Sequence, residues 1–387
     1  GGTQRVTVDG SGNVTISGDL QVDGATTTVQ STTVTIDDKN IELGSVATPT
    51  DTTADGGGIT LKGATDKTIQ WSNSTGNWTF NTDVDSNGVT VGRGAGDVAT
   101  NTVVGGNALD ANTTGSKNTA VGAEALGANT TGTKNVAVGT NSLDANTTAS
   151  SNTAVGYNSL GANTTGASNV ALGTAALQVN TTGSNNVAVG ANSLDANTTG
   201  VRNTAVGTGA LTTAYEDNNN VAIGYFALET NNGGEDNVAV GTFALEKNTT
   251  GDNNTSVGYK ALEANTTANS NTAVGNIALT DNTTGASNTA VGNQALRKNT
   301  TATNNTAVGA NALADNTTGQ YNVAVGSSAL TNNTTANRNT AMGYNTLGAN
   351  TTGANNTAVG YVALDANTTG TNNTAFGDGT LSAATTA

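Results

Sequence analysis

Residues 118–134 read NTAVGAEALGANTTGTK, and this stretch decides the fold because its pattern recurs every 17 residues to the end of the chain. An Asn stands at residue 101 and at each seventeenth position up to residue 373; a Gly follows four residues later and a Leu eight residues later. A strict period without insertions indicates stacked, equivalent units. Asn, Thr and Gly are poor helix formers, so the pattern predicts an all-β, fibrous, parallel β-solenoid (a β-roll) of 17-residue coils.

Each column of the repeat receives a structural role. A coil of this length is expected to hold two short strands and two turns. Val121 and Leu126 are predicted to form two apolar ladders inside the coil, and Gly122 is predicted to end the first strand. Asn118 and Asn129 are predicted to form side-chain amide ladders that join successive coils.

Composition excludes several classes of function. The chain has 387 residues, no His, no Cys and a net charge of −15, so Cys/His zinc sites, Ser-His-Asp triads and thiol nucleophiles are absent and nucleic-acid binding is disfavoured. No apolar run is long enough to insert in a membrane. Residues 83–88 match the start of an EF-hand loop, but Gly94 stands at the acidic twelfth position, so a β-turn is expected. We therefore predict no enzyme, no cofactor and no metal.

A thin coil buries too little apolar surface to offset the ordering of 17 residues, so the solenoid is expected to pack against partner chains. A homotrimer is the expected closure for a fibrous β-structure. At about 4.8 Å per coil, the repeats would make a rod about 80 Å long.

The repeat resembles two families. Asn118–Gly122 and its copies resemble the head repeats of trimeric autotransporter adhesins, which implies a left-handed β-roll. The longer unit, Asn-Thr-Ala-Val-Gly-x-x-Ala-Leu-x-x-Asn-Thr-Thr-Gly, is similar to repeats in tail-fibre proteins of tailed phages. The unit is longer than in adhesin heads, and no coiled-coil stalk or membrane anchor is evident, which favours the phage interpretation. The resemblance implies a virion location, other virion proteins at the N-terminal end and a host cell-surface glycan or protein as receptor. A bacterial cell-surface adhesin or extracellular filament is the alternative, with an ice-binding solenoid third.

The chain before the repeat is expected to form three further segments. Residues 1–44 alternate short β segments with turns and predict a β-rich shaft. Residues 45–58 predict a linker, and the third segment ends at residue 100, before the seventeen repeats of residues 101–387. Residues 59–100 contain Trp71, Trp78 and Phe80 and predict a small β module around an aromatic core, with a sugar-stacking role for the Trp residues as the alternative.

Two sets of variable residues are candidate interaction sites. The two positions after the repeat Gly vary in size and polarity, so they lie outside the packed interior and face a partner chain or a receptor. These candidate contacts are Tyr157, Tyr225, Phe226, Phe243, Tyr259, Tyr344 and Tyr361. The repeat also loses its Asn-Thr-Thr in two successive copies, where acidic residues concentrate, which we interpret as drift in exposed turns or as an acidic patch for a cation or receptor. This patch comprises Glu216, Asp217, Glu229, Glu235 and Asp236.

Overall fold

The structure, a computed structural model, describes residues 6–17, 50, 52, 58–61, 66–74 and 77–386. The chain divides into two compact units, residues 1–79 and 80–387.

The first unit contains a hairpin and a three-stranded sheet. Strands β1 (Val6–Val8) and β2 (Val14–Ile16) pair antiparallel, as expected for the start of residues 1–44. The turn between them is held by the Asp9 carboxylate, which accepts hydrogen bonds of 2.9 Å from the backbone N–H groups of Ser11 and Asn13. The other β segments expected within residues 18–44, and most of the expected linker 45–58, lie outside the described residues.

The three-stranded sheet has the order β3 (Gly58–Leu61), β4 (Lys67–Ser72) and β5 (Asn77–Phe80). Trp71 and Trp78 meet edge to face with ring centroids 6.1 Å apart. However, the side chains of Trp78 and Phe80 are 54% and 50% exposed. The prediction of an aromatic core in this segment is therefore wrong, because the residues described there form one sheet layer on which these two rings are about half exposed.

The second unit begins with a hairpin that continues the solenoid sheet. Strands β6 (Val84–Ser86) and β7 (Val89–Gly92) pair antiparallel, and a short 3-10 helix follows at Ala95–Asp97. Strand β7 also pairs antiparallel with the first solenoid strand, in the register Val91↔Val104. The expected module 59–100 is therefore divided, because its second half belongs to the solenoid unit.

The solenoid is built from seventeen three-residue strands, each paired parallel and in register with the strand one repeat away. This confirms the predicted parallel β-solenoid. The strands are β8 (Thr102–Val104), β9 (Thr119–Val121), β10 (Val136–Val138), β11 (Thr153–Val155), β12 (Val170–Leu172), β13 (Val187–Val189), β14 (Thr204–Val206), β15 (Val221–Ile223), β16 (Val238–Val240), β17 (Thr255–Val257), β18 (Thr272–Val274), β19 (Thr289–Val291), β20 (Thr306–Val308), β21 (Val323–Val325), β22 (Thr340–Met342), β23 (Thr357–Val359) and β24 (Thr374–Phe376).

The interior of each coil is lined by Ala and Leu. Ala120, Ala125 and Leu126 are fully buried, as are their equivalents in most other coils. Val121 points outward and is half-buried, so its predicted place in an interior ladder is wrong. Successive strand residues point to opposite faces, and the Leu and Asn side chains share the thin interior with the central strand residue, which is Ala or Ser in every coil after the first and the buried Val103 in the first.

The second side of each coil is a chain of turns and contains no strand, so the expected second strand is not formed. Leu126 lies in the left-handed region with φ 53°, and every Leu of this column has φ between 50° and 56°. Its backbone still bonds to the next coil: the Leu126 N–H donates to the Ser142 carbonyl at 3.0 Å. Stacking is therefore maintained by backbone hydrogen bonds on both sides of the coil.

The predicted Asn ladders are confirmed. Asn129 Nδ2 donates to Asn112 Oδ1 at 3.0 Å and to the carbonyl of Gly132 at 3.2 Å. In the other Asn column, Oδ1 of Asn118 accepts the backbone N–H of Asn135 at 2.9 Å. All of these Asn side chains are buried, so the ladders satisfy polar groups that water cannot reach.

Gly122 ends its strand for a steric reason. Its φ is 130°, which disfavours L side chains, and a Cβ added there would lie 2.7 Å from the carbonyl carbon of Gly139 in the next coil. The close approach of successive coils therefore requires Gly at this position.

Candidate functional site

The outward face of the solenoid sheet is free of charge. We call this surface, formed by the first and third residues of strands β8–β24, the sheet face. Its first position holds only Thr or Val, and its third holds only Val, Leu, Ile, Met or Phe. Most of these side chains are half-buried, and several are exposed, including Leu172, Met342 and Phe376. In a chain of net charge −15, such a surface is suited to contact with another apolar surface.

The aromatic residues after the repeat Gly lie outside the coil, as predicted. All five Tyr side chains of this position are between 45% and 58% exposed. Tyr344 and Tyr361, in neighbouring coils, stack with centroids 5.4 Å apart and planes 15° apart. Tyr157 is separate, since the adjacent coils carry Thr140 and Thr174 at its position.

Four of the predicted contact residues form one cluster, which we call the aromatic platform: Tyr225, Phe226, Phe243 and Tyr259. The ring centroid of Tyr225 lies 4.2 Å from that of Phe226 and 5.6 Å from that of Phe243. The ring of Phe243 lies 6.3 Å from Phe226 and 6.5 Å from Tyr259. Residues two coils apart in sequence are therefore joined into a continuous aromatic surface.

The predicted acidic patch is only partly brought together. Asp217 lies close enough to Glu216 and Glu235 for both to raise its pKa through charge repulsion. Glu229 belongs to a different column and interacts with Glu246. Within the described part of the chain, no group of three or more acidic residues is arranged to hold a metal ion.

Asp217 repairs a gap in an Asn ladder. Ala214 replaces the ladder Asn of its coil, and Asp217 replaces the Gly or Ala found three residues later in other copies. The Asp217 carboxylate accepts Asn231 Nδ2 at Oδ2 and the Gly233 N–H at Oδ1, both at 2.7 Å. On the other side of the gap, the buried Oδ1 of Asn197 has no partner. The carboxylate therefore supplies the acceptor that the missing Asn side chain would have offered to Asn231. No group supplies the donor that it would have offered to Asn197.

Burial is the main reason that the pKa of Asp217 rises to about 6, and repulsion from Glu235 and Glu216 adds to it. The hydrogen bonds from Gly233 and Asn231 act in the opposite direction. The side chain is only 4% exposed. Asp217 is thus a structural carboxylate whose charge is unfavourable where it lies.

Sequence reasoning missed a second acidic row. Glu229, Glu246 and Glu263 occupy the same position in three successive coils, next to the aromatic platform. Burial is the main reason that the pKa of Glu246 is raised, and the neighbouring Glu263 raises it further. Lys260 Nζ bonds to Glu263 Oε1 at 3.2 Å. Comparing residues 17 apart, rather than neighbours in sequence, identifies this row.

The residues that match an EF-hand start form a β-turn, as predicted. Asn87 and Gly88 have positive φ at the tip of the β6–β7 hairpin. Asp83 accepts backbone N–H bonds from Arg93 at 2.8 Å and Gly94 at 3.0 Å, and Asp85 accepts one from Gly88 at 3.1 Å. These two carboxylates therefore accept hydrogen bonds from the backbone of the β6–β7 hairpin and the residues after it.

The sequence matches no protein-family model, and it matches neither a curated protein nor a solved structure. Across the described ranges, no helix has the length and hydrophobicity needed to cross a bilayer.

Proposed function

We propose that this chain is a structural, non-enzymatic fibre protein of a phage virion, in which three solenoids associate into a rod that presents a surface for attachment to the host cell. The observation that carries the proposal is the sheet face, which holds no charge along seventeen strands. Removing charged groups from water on association is costly, and this face avoids that cost. Each copy offers the same face, which suits a symmetric homo-oligomer.

The area of the sheet face fits this role. Seventeen strands spaced about 4.8 Å apart, with about 10 Å of strand in each, present about 800 Å². That is the area that each partner contributes to a stable interface of standard size. The half-buried Val side chains would gain further burial, at about 25 cal/mol for each Å² removed from water.

The exposed aromatic residues support the attachment part of the proposal. The seven predicted aromatic contacts lie in the columns that follow the repeat Gly, outside the sheet face, so an assembly through the sheet face leaves them on the edge of the coil. We further propose that the N-terminal end binds other virion proteins and that the receptor is a glycan or protein of the host surface.

Light scattering of the full chain tests the assembly. A species of three times the 37.9 kDa chain mass is expected. Val189→Glu with Val206→Glu places charge on neighbouring strands of the sheet face and should give a monomer that keeps its β circular dichroism. Thr174→Glu, in an outward column where Asp378 stands naturally, is the control and should remain a trimer. A monodisperse wild-type monomer would remove the physical support for the fibre.

Antibodies raised against the chain test the location. Gold labelling along the tail fibres of purified virions is the expected result. Labelling of the bacterial envelope in cells free of phage would contradict it and would favour the adhesin.

A further inference from the structure

The aromatic platform is not explained by the needs of the fold. Other coils carry Thr, Asn, Ser or Gly at the same two positions and stack equally well. Phe226 and Phe243 also have φ of 50° and 57°, where bulky L side chains are disfavoured. Four rings on an exposed edge therefore call for a role outside the coil.

Residues around the aromatic platform make room for its rings and pack against them. A Cβ at Gly209, in the preceding coil, would lie 2.2 Å from the ring of Phe226, so this Gly gives the ring its place. Lys260 Nζ lies 5.6 Å from the centroid of Phe243 and 5.8 Å from that of Tyr259. The rings thus form an ordered surface, with Tyr225 and Tyr259 exposed to about half of their area.

Hydrogen-bond acceptors flank this surface. Glu229, Glu246 and Glu263 form a row along three coils, and Lys260, which contacts the rings, is paired with Glu263. A carboxylate accepts hydroxyl hydrogens in bonds that are stronger than those between neutral groups. Lys247 Nζ and Lys260 Nζ lie 3.8 Å and 3.2 Å from Glu263 Oε1, so three carboxylates face two ammonium groups and the remaining net negative charge repels anionic ligands.

We propose that the aromatic platform and the adjacent Glu row bind a neutral polysaccharide, an inference that rests on the proposed attachment function and names its receptor class. The C–H faces of sugar rings carry partial positive charge and stack on the negative faces of aromatic rings, while sugar hydroxyls donate to the carboxylates. The two half-exposed Tyr rings and the two less exposed Phe rings together offer about 300 Å², less than half of what a protein partner contributes, but sufficient for a short run of sugar units.

Affinity electrophoresis of the full chain tests the proposal. The protein is run through native gels that contain dextran, mannan or galactan, and through gels that contain the acidic polymers alginate or polygalacturonate. We expect retardation by at least one neutral polymer and none by the acidic ones. Tyr225→Thr with Tyr259→Thr should weaken the binding about tenfold or more.

The controls separate binding from folding. Thr208 and Thr242 already occupy the substituted position in adjacent coils, so the double variant should melt like the wild type. Tyr157→Thr removes an isolated Tyr of the same column and should leave retardation unchanged. The proposal is overturned if no neutral polymer retards the wild type, if acidic polymers do so, or if the double variant binds as well. Labelled protein that still attaches to host cells in any of these cases would leave the proposed function standing and remove only the glycan site.

Discussion

The charge of Asp217 makes the solenoid less stable at neutral pH, and Asp217→Asn should remove this effect. The folded state raises the pKa from the ordinary 3.8 to about 6, so the folded chain holds this proton more tightly than the unfolded chain. The contribution of Asp217 to stability is therefore greatest below about pH 4, falls as the pH rises towards about 6, and then stays constant. Each pKa unit corresponds to about 1.4 kcal/mol, so the whole effect is about 3 kcal/mol.

Most of this effect lies in an accessible range. About 2 kcal/mol of it appears between pH 4.5 and pH 7.5. The assay is urea denaturation of both proteins at these two pH values, followed by circular dichroism. Because other carboxylates are common to both proteins, the difference in unfolding free energy isolates Asp217. The Asn side chain also changes the bonds to Asn231 and Gly233, but this contribution does not vary with pH.

Asp252→Asn is the matched control for the loss of one negative charge. Asn269 stands at its position in the next coil and Asn218 two coils before, and its Oδ1 accepts the Glu235 N–H, which an amide oxygen can also do. Relative to this control, the advantage of Asp217→Asn should grow by about 2 kcal/mol from the lower to the higher pH. An advantage that stays constant, or that grows towards acid, would refute the argument.

Four further substitutions test the coil. Leu194→Ala empties a fully buried site and should lower the unfolding free energy by about 3 kcal/mol in urea denaturation; an unchanged midpoint would contradict the buried Leu ladder. Asn163→Ala breaks both of its ladder bonds and should cost about 2–4 kcal/mol by the same assay, whereas a neutral effect would mean that water replaces the amide. Gly190→Ala places a Cβ 2.6 Å from the carbonyl of Gly207, so soluble, folded protein at wild-type yield would argue against the close stacking of coils. Val362→Asn relieves a β-branched residue at φ 45° and should raise the melting temperature, by a gain of about 1 kcal/mol; a lower melting temperature would show that the Val side chain is needed.

The sequence was sufficient to predict stacking, period and the Asn ladders, since each follows from a column that recurs in nearly every repeat. It was not sufficient to predict which residues face inward. Val121 is larger and more apolar than Ala120, so hydrophobicity alone places it inside, but the pleat of the strand turns the central residue, Ala120, inward and leaves Val121 on the outer face. That geometry depends on the packing of whole coils and has no local signal.

The candidate site was also predictable only in part. The exposure of the Tyr column followed from its variability. The grouping of Glu229 with Glu216 failed because it relied on nearness in sequence, whereas in a solenoid the neighbours of a residue are 17 positions away. Glu246 and Glu263 were visible in the sequence once compared in this way.

Because equivalent coils stack in register, the length of the solenoid can change only by whole repeats of 17 residues. Every coil presents the same backbone hydrogen bonds to the next, so a whole repeat can be gained or lost while both flanks rejoin without strain. An insertion of any other size would place Gly, Leu and Asn in the wrong columns and disrupt the stack. Duplication of the encoding DNA in units of 17 codons would therefore move the aromatic platform along the molecule in steps of about 4.8 Å and leave its chemistry unchanged.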